Sequence, residues 1–381
     1  MRRAIRVLAV LVLILAALAV WKREELVRLY AVVTLFDEGR VVENFSHMDA
    51  AFLTVRLPRG DGPVFPLPDG APITLPAGAE DWIRDRAVTS LLVLKDGNVL
   101  HESYYLGTGP EDRRISWSMS KSFLSVLYGI LDAEGTMPPL GTKVTDVVPG
   151  LKGTGYDGVT VRHILTMTSG VAFNEDYLDF WSDINRMGRA LALGRPMDAF
   201  AASLRSKAAR PGERWHYVSI DTHVLGMVIR AAAGRPVAEL MEERLIRPLG
   251  LETDAYFIAD GTGEPFVLGG LNLTTRDYAR FGQMVLAGGR GIVPERWLLT
   301  STTRQAPLPI EGTGYGYQWW VPPGQDGGEV FARGIYGQYV WIDRNRGVVI
   351  VRTAADLGFE GMGVEEANFA MFRAIAAAAA P

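Results

Sequence analysis

The chain has 381 residues, 48% of them hydrophobic, a formal net charge of −4 and no cysteine. A chain of this size can bury a full core, either as one large domain or as two lobes sharing one core. Acids and bases are intermixed without a basic stripe, which excludes an electrostatic nucleic-acid binder; the lack of cysteine excludes disulfides, thiolate metal sites and a thiol nucleophile.

Arg2, Arg3 and Arg6 precede an apolar run, Val7 to Trp21, closed by Lys22-Arg23-Glu24-Glu25. Its length lies between a signal-peptide core and a membrane span. Ala17-Leu18-Ala19 offers a cleavage site, yet the helix-like pattern continues unbroken to Phe36. Residues 1–23 are therefore read as a signal anchor or a signal peptide, with the uncleaved anchor favoured. The basic start places the N-terminus in the cytoplasm and the rest outside it. The protein is expected at the inner membrane with its catalytic part extracytoplasmic or periplasmic, or secreted if the segment is cleaved. Residues 24–81 are read as a linker or arm, rich in Pro, Gly and Asp beyond Asp37. Residues 82–381 are read as one catalytic domain.

Two apolar runs, Thr89–Leu94 and Val99–Tyr105, flank Lys95-Asp96-Gly97-Asn98, and Asp-Gly in that place predicts a hairpin. Helical patterns follow. Ser118–Glu134 ends at Gly135, Val161–Thr168 at Ser169-Gly170, and Ile220–Ala233 at Gly234; the next helix opens at Pro236 and stops at Pro248. A second hairpin pairs Tyr339–Ile342 with Val348–Arg352, and Glu365–Ala380 reads as a terminal helix. Hairpins at both ends predict an α/β (α+β) fold: an antiparallel sheet from both chain ends, flanked by helices, with an inserted helical lobe.

Chemistry enters at Ser118-Met119-Ser120-Lys121. Spacing of three on a helix puts Ser118 and Lys121 on one face, a single turn apart. A free lysine is a poor base at neutral pH, so the pair acts only if burial or a nearby cation lowers the amine's pKa. The helix N-terminus adds backbone N–H groups suited to an oxyanion. Alone the motif is common, and a capping serine beside a solvated lysine is the better reading of it. No Gly-x-Ser-x-Gly, His-Glu-x-x-His or Walker motif competes with it. The five histidines lack metal-ligand spacing, so neither a metal nor any other cofactor is expected.

Several blocks in order resemble the serine β-lactamase and penicillin-binding-protein-like superfamily. They are Ser118–Phe123, Val161–Gly170, Pro211–Ser219, Leu273–Gly282, Tyr315–Trp320 and Gly334–Gln338. Within it they are most similar to the class C-related branch holding aminohexanoate-oligomer hydrolases and β-lactamase-fold esterases. The resemblance spans about Val88 to Arg352 and implies a β-lactamase-like fold. It implies Ser118 as the acylated nucleophile, Lys121 as its base, and Tyr217 as the phenol that moves a proton to the leaving group. It implies an oxyanion hole from the backbone N–H groups of Ser118 and Ile335. It suggests Tyr177, Ser219, Asn272 and Gly334 as substrate-binding residues, with Ser219 also holding the Lys121 and Tyr217 network by hydrogen bonds.

One departure bears on substrate. Many members of the superfamily carry Lys-Thr-Gly on the sheet-edge strand; this chain has Phe331-Ala332-Arg333-Gly334-Ile335. Arg333 could replace that charge, but an apolar Ile follows the Gly. The expected partner is a small-molecule ester or linear amide, besides the membrane and with no nucleic acid; nothing in the sequence sets an oligomeric state. Stem-peptide cleavage, β-lactam hydrolysis and a sensor that acylates without turnover are the other readings, with an inactive binding fold behind them.

Overall fold

A computed structural model describes residues 2–307, 312–324 and 328–380. Among these residues the strands form two antiparallel sheets. Five strands occupy the first part of the chain: β1 (Leu53–Leu57), β2 (Val88–Lys95), β3 (Asn98–Tyr104), β4 (Arg114–Ile115) and β5 (Ala255–Ala259). Six follow: β6 (Leu271–Leu273), β7 (Gly314–Tyr315), β8 (Trp320–Val321), β9 (Glu329–Gly334), β10 (Gln338–Asp343) and β11 (Val348–Ala354). The main sheet runs β3-β2-β11-β10-β9-β8-β7 and the smaller one β1-β5-β6-β4.

The hairpin β2–β3 forms where Asp-Gly predicts it. Asp96 and Gly97 both take left-handed backbone, φ +49° and +85°, which is what a two-residue turn matched to strand twist requires. Beyond the hairpin, β2 pairs with β11, so Leu92 faces Val351 across more than half the chain. The sheet is thus built from both chain ends, as expected.

The strand β2 is buried along nearly its whole length because both faces of the sheet are covered. Leu92 and Leu94 point to the side that holds Tyr278 and Phe281 of the helix Thr275–Leu286. Leu91 and Val93 point to the side that holds Phe369, Phe372 and Ile375 of the C-terminal helix Val364–Ala379. Each such fully buried side chain contributes on the order of 2 kcal/mol.

Between the sheet and the inserted helical lobe lies Ser120–Ala133, with twelve of its fourteen residues buried. A helix apolar on every side belongs inside a core. Its Gly129 is required by packing, since a Cβ there would meet Trp297 Cδ1 at 2.2 Å. That indole donates to the Ser125 carbonyl at 2.9 Å and fastens the helix in place.

The helix read as Ser118–Glu134 therefore opens differently than expected. Trp117–Met119 is a 3-10 turn, and the regular helix starts at Ser120. Within residues 24–81, Leu53–Leu57 adds a strand to the smaller sheet, pairing with Ala255–Ala259. Ahead of it, the Phe45 carbonyl accepts from Ile115 N at 3.0 Å, so this segment touches the strand that leads to Ser118.

At the N-terminus the apolar segment forms the helix Arg2–Trp21, followed by Arg23–Val33. No single helix among the described residues is long and apolar enough to cross a membrane. The two together pass by length and composition, but they meet at 74°.

Candidate active site

Ser118 sits on the 3-10 turn at the foot of the buried helix, half-buried, with Lys121 one turn on at 1% exposure. The loop before β6 fixes this start. Val267 O accepts from Ser120 Oγ at 2.6 Å, and Leu268 O accepts from Lys121 Nζ at 2.7 Å. So held, Lys121 Nζ lies 3.0 Å from Ser118 Oγ and 3.3 Å from Ser219 Oγ. Burial pushes the amine down to about 7, against a smaller opposing pull from Glu175. A lysine in that range is neutral in a large fraction of molecules at neutral pH, which meets the condition the sequence left open.

Glu175 is the site residue that sequence reading missed. Its carboxylate lies at the N-terminus of the helix Ser219–Ala233, where Ser219 N donates to Oε2 at 3.0 Å. Ser219 Oγ also donates to it, and Tyr177 OH does so at 2.8 Å. Burial raises its pKa, while Lys121 and the Ser219 hydroxyl pull it down. Lysine, serine and glutamate thus form one hydrogen-bonded group beside Ser118, with Lys121 and Ser219 buried and Glu175 reaching the cleft wall. Glu175 follows the Thr-Ser-Gly block on an irregular loop and meets Ser219 forty-four residues away, so no helical or strand period marks it. Its one signal is an acid close to Tyr177.

Tyr217 stacks on Trp320, ring centroids 5.6 Å apart, and Lys121 Nζ is 5.2 Å from its ring centre. Burial, then the Glu175 charge, raises its phenol pKa, with the Ser118 and Ser219 hydroxyls pulling the other way. Tyr217 is therefore a neutral phenol at rest. On the opposite wall, β9 ends at Gly334. A Cβ there would fall 2.3 Å from Ser116 O, so only glycine lets this strand end close on the nucleophile turn. The next residue, Ile335, is thereby set beside Ser118.

The cleft measures about 580 Å³. Ser118, Tyr177, Tyr217, Trp320, Arg333, Gly334 and Ile335 line it, and the loop Phe359–Gly363 forms a further wall. A second concavity of about 600 Å³, lined by Glu102, Tyr104, Glu252 and Arg276 among others, holds no comparable nucleophile. Its Arg276 and Glu102 pair with each other at 2.6 Å.

The structure brings Ser118, Lys121, Tyr217, Tyr177, Ser219, Gly334 and Ile335 to one site. Two expectations need correction. Asn272 does not face the cleft; it is fully buried on β6, the second-to-last strand of the smaller sheet, and its Nδ2 donates to Gly270 O at 2.8 Å. Ser219 is not on the cleft wall as a substrate-binding residue; at 1% exposure it stands behind that wall in its other expected place, hydrogen-bonded to Lys121 and Glu175. Trp320 packs in the core and also forms part of the cleft wall, whereas Trp319 is fully buried against Phe281. Arg333 is paired with Glu365 of the C-terminal helix and lies over the Trp320 ring at 4.5 Å.

A Ser-x-x-Lys pair under an antiparallel sheet edge, with a tyrosine across the cleft, defines a hydrolase of the β-lactamase fold. The chain belongs to the β-lactamase family, whose profile matches residues 79–371. It is 33% identical over 297 residues to the 6-aminohexanoate-dimer hydrolase of Paenarthrobacter ureafaciens, covering 72% of this chain and 74% of that one. It is 29% identical over 160 residues to esterase EstB of Burkholderia gladioli, 38% of each chain. A solved structure of a candidate 6-aminohexanoate-dimer hydrolase from Bacillus anthracis superposes with TM-score 0.79 at 22% identity, over 90% of this chain and 95% of that one.

Proposed function

We propose that this protein is a serine hydrolase that cleaves small esters or linear amides through an acyl-enzyme on Ser118. The observation that carries the reading is the buried, neutral-leaning Lys121 amine 3.0 Å from the Ser118 hydroxyl. Lys121 takes the Ser118 proton as Oγ bonds to the substrate carbonyl carbon. The Ser118 and Ile335 N–H groups hold the oxyanion. Tyr217 gives its phenolic proton to the departing alcohol or amine and is reprotonated from Lys121. Water then adds to the acyl carbon, its proton returns through Tyr217 and Lys121 to Ser118 Oγ, and the acid leaves. No cofactor takes part.

Substrate class follows from charge and from relatives. Arg333, the residue nearest the place of the missing lysine, is already paired with Glu365, which weakens the case for binding a β-lactam or stem-peptide carboxylate there. The names of the two relatives, a 6-aminohexanoate-dimer hydrolase and an esterase, support a linear amide or an ester as the substrate class. We read the apolar N-terminal helices as the membrane attachment of an extracytoplasmic enzyme, supported by Arg2, Arg3 and Arg6 ahead of them.

The test is intact-mass analysis after treatment with a fluorophosphonate, beside Ser118→Ala. One adduct on the native chain and none on the variant is the expected result. A native chain that stays unlabelled sinks the proposal, and an ester burst that stops at one equivalent points to the sensor instead.

The rate of that labelling against pH tests the lysine. It should rise with pH and level off, with its midpoint near 7, because only the neutral amine accepts the proton. Glu175→Gln removes the charge that holds the amine up, so the midpoint should move to lower pH. An unmoved midpoint would separate Glu175 from Lys121.

A further inference from the structure

Two residues with left-handed backbone flank the two oxyanion donors. Trp117, φ +43°, precedes Ser118, and Tyr336, φ +59°, follows Ile335. Bulky side chains rarely hold that conformation unless their surroundings impose it. Here the surroundings are aromatic and come from the segment before β1. Phe36 stacks on Tyr336 at 5.0 Å and lies 6.0 Å from Trp117. Phe45 meets Trp117 and Tyr336 edge-on, each at 5.4 Å. Trp117 and Tyr336 are themselves 5.9 Å apart.

The backbone holds the same segment down. Beside the Phe45–Ile115 bond, the buried Arg114 guanidinium donates to Ser46 Oγ at 2.8 Å and to the Val42 carbonyl. None of these segment residues falls within the family match, which begins at residue 79.

We propose that Phe36 and Phe45 are positioning residues for the oxyanion hole, making the segment before β1 part of the catalytic apparatus. The inference rests on the serine-hydrolase reading above. The two rings wedge both left-handed joints at once. Without them, either turn can relax toward negative φ and swing its N–H away from the developing oxyanion. The Trp320 wall, stacked on Tyr217, makes no ring contact with Phe36 or Phe45, and Tyr177 reaches Tyr336 only through Phe359, which packs on Tyr336 at 4.8 Å. The transition state should therefore lose more than the ground state does.

Phe36 is 40% exposed, so its replacement spares the core, whereas Phe45 is fully buried. The test is steady-state hydrolysis of p-nitrophenyl butyrate by the full chain carrying Phe36→Leu, Phe36→Tyr or Phe45→Leu. For Phe36→Leu we expect kcat about tenfold lower and KM within about twofold, as for a slightly misplaced catalytic group. Its melting temperature should stay within about 2 °C of the native value. Phe36→Tyr should recover most of kcat, and a folded Phe45→Leu should lose more than Phe36→Leu. Unchanged kcat in folded Phe36→Leu overturns the proposal, as does a change confined to KM. If Phe45→Leu does not fold, the Phe36 pair decides. A native chain that a fluorophosphonate leaves unlabelled overturns the serine reading and this inference with it; a labelled native chain with an unaffected Phe36→Leu overturns this inference alone.

Discussion

Lys121→Met is expected to slow acylation of Ser118 by about 10³- to 10⁴-fold, the range for loss of a well-placed general base. The same substitution should stabilise the folded chain. Burial lowers the amine from 10.5 to about 7, so the folded state disfavours its charged form. Below pH 7 the amine is charged in both folded and unfolded chains, and the folded chain carries the whole cost of burying that charge. Between pH 7 and 10.5 the cost fades, and above that it is gone. A shift of this size corresponds to about 5 kcal/mol. Methionine keeps the volume and removes the charge. Urea unfolding at pH 6 and pH 10 reads the effect: the variant should gain stability at pH 6 and little at pH 10. A variant that loses stability at both would mean the amine's bonds to Leu268 O and the two serines outweigh its desolvation.

Tyr217→Phe should lower kcat on amides and alkyl esters by about 10²- to 10³-fold, as for loss of a general acid. The resting phenol is neutral, raised by burial and by Glu175, so it enters the cycle as a donor. Its work is to protonate a departing group that is too basic to leave alone. An aryl ester whose phenolate leaves unaided should therefore show a much smaller loss. The comparison of p-nitrophenyl butyrate with ethyl butyrate on the variant reads this directly. Equal losses on both esters would place Tyr217 in orientation of the cleft, next to Trp320, and not in proton transfer.

The sequence made the nucleophile pair visible because a helix brings residues three apart together, and that geometry needs no tertiary information. The hairpin at Asp96-Gly97 was visible for a similar reason, since the turn chemistry is local. Glu175 was not, because its role depends on a loop folding back onto Ser219, and loops carry no period. Asn272 misled for the converse reason. It lies near the recognised block, but β6 is sandwiched between β4 and β5, and its amide nitrogen donates to Gly270 O inside the sheet. The two-residue strands β4, β7 and β8 are too short to show alternation at all. Leu53–Leu57 did alternate apolar residues, yet the Pro- and Gly-rich composition around it outweighed that signal. The mutual approach of Phe36, Phe45, Trp117 and Tyr336 joins four separate stretches, which only the folded chain reveals.

The pairing of β2 with β11 also bears on how the molecule is made. Strand β2, next to the edge strand β3, is synthesised early, and its other partner emerges some 250 residues later. The hairpin β2–β3 can form as soon as it leaves the ribosome, but its other edge stays open until nearly the whole chain is complete. Such long-range closure is slow and leaves an unpaired apolar edge in the interval. An early hairpin with one open edge can pair with other chains until β11 arrives, so refolding yield should fall as chain concentration rises.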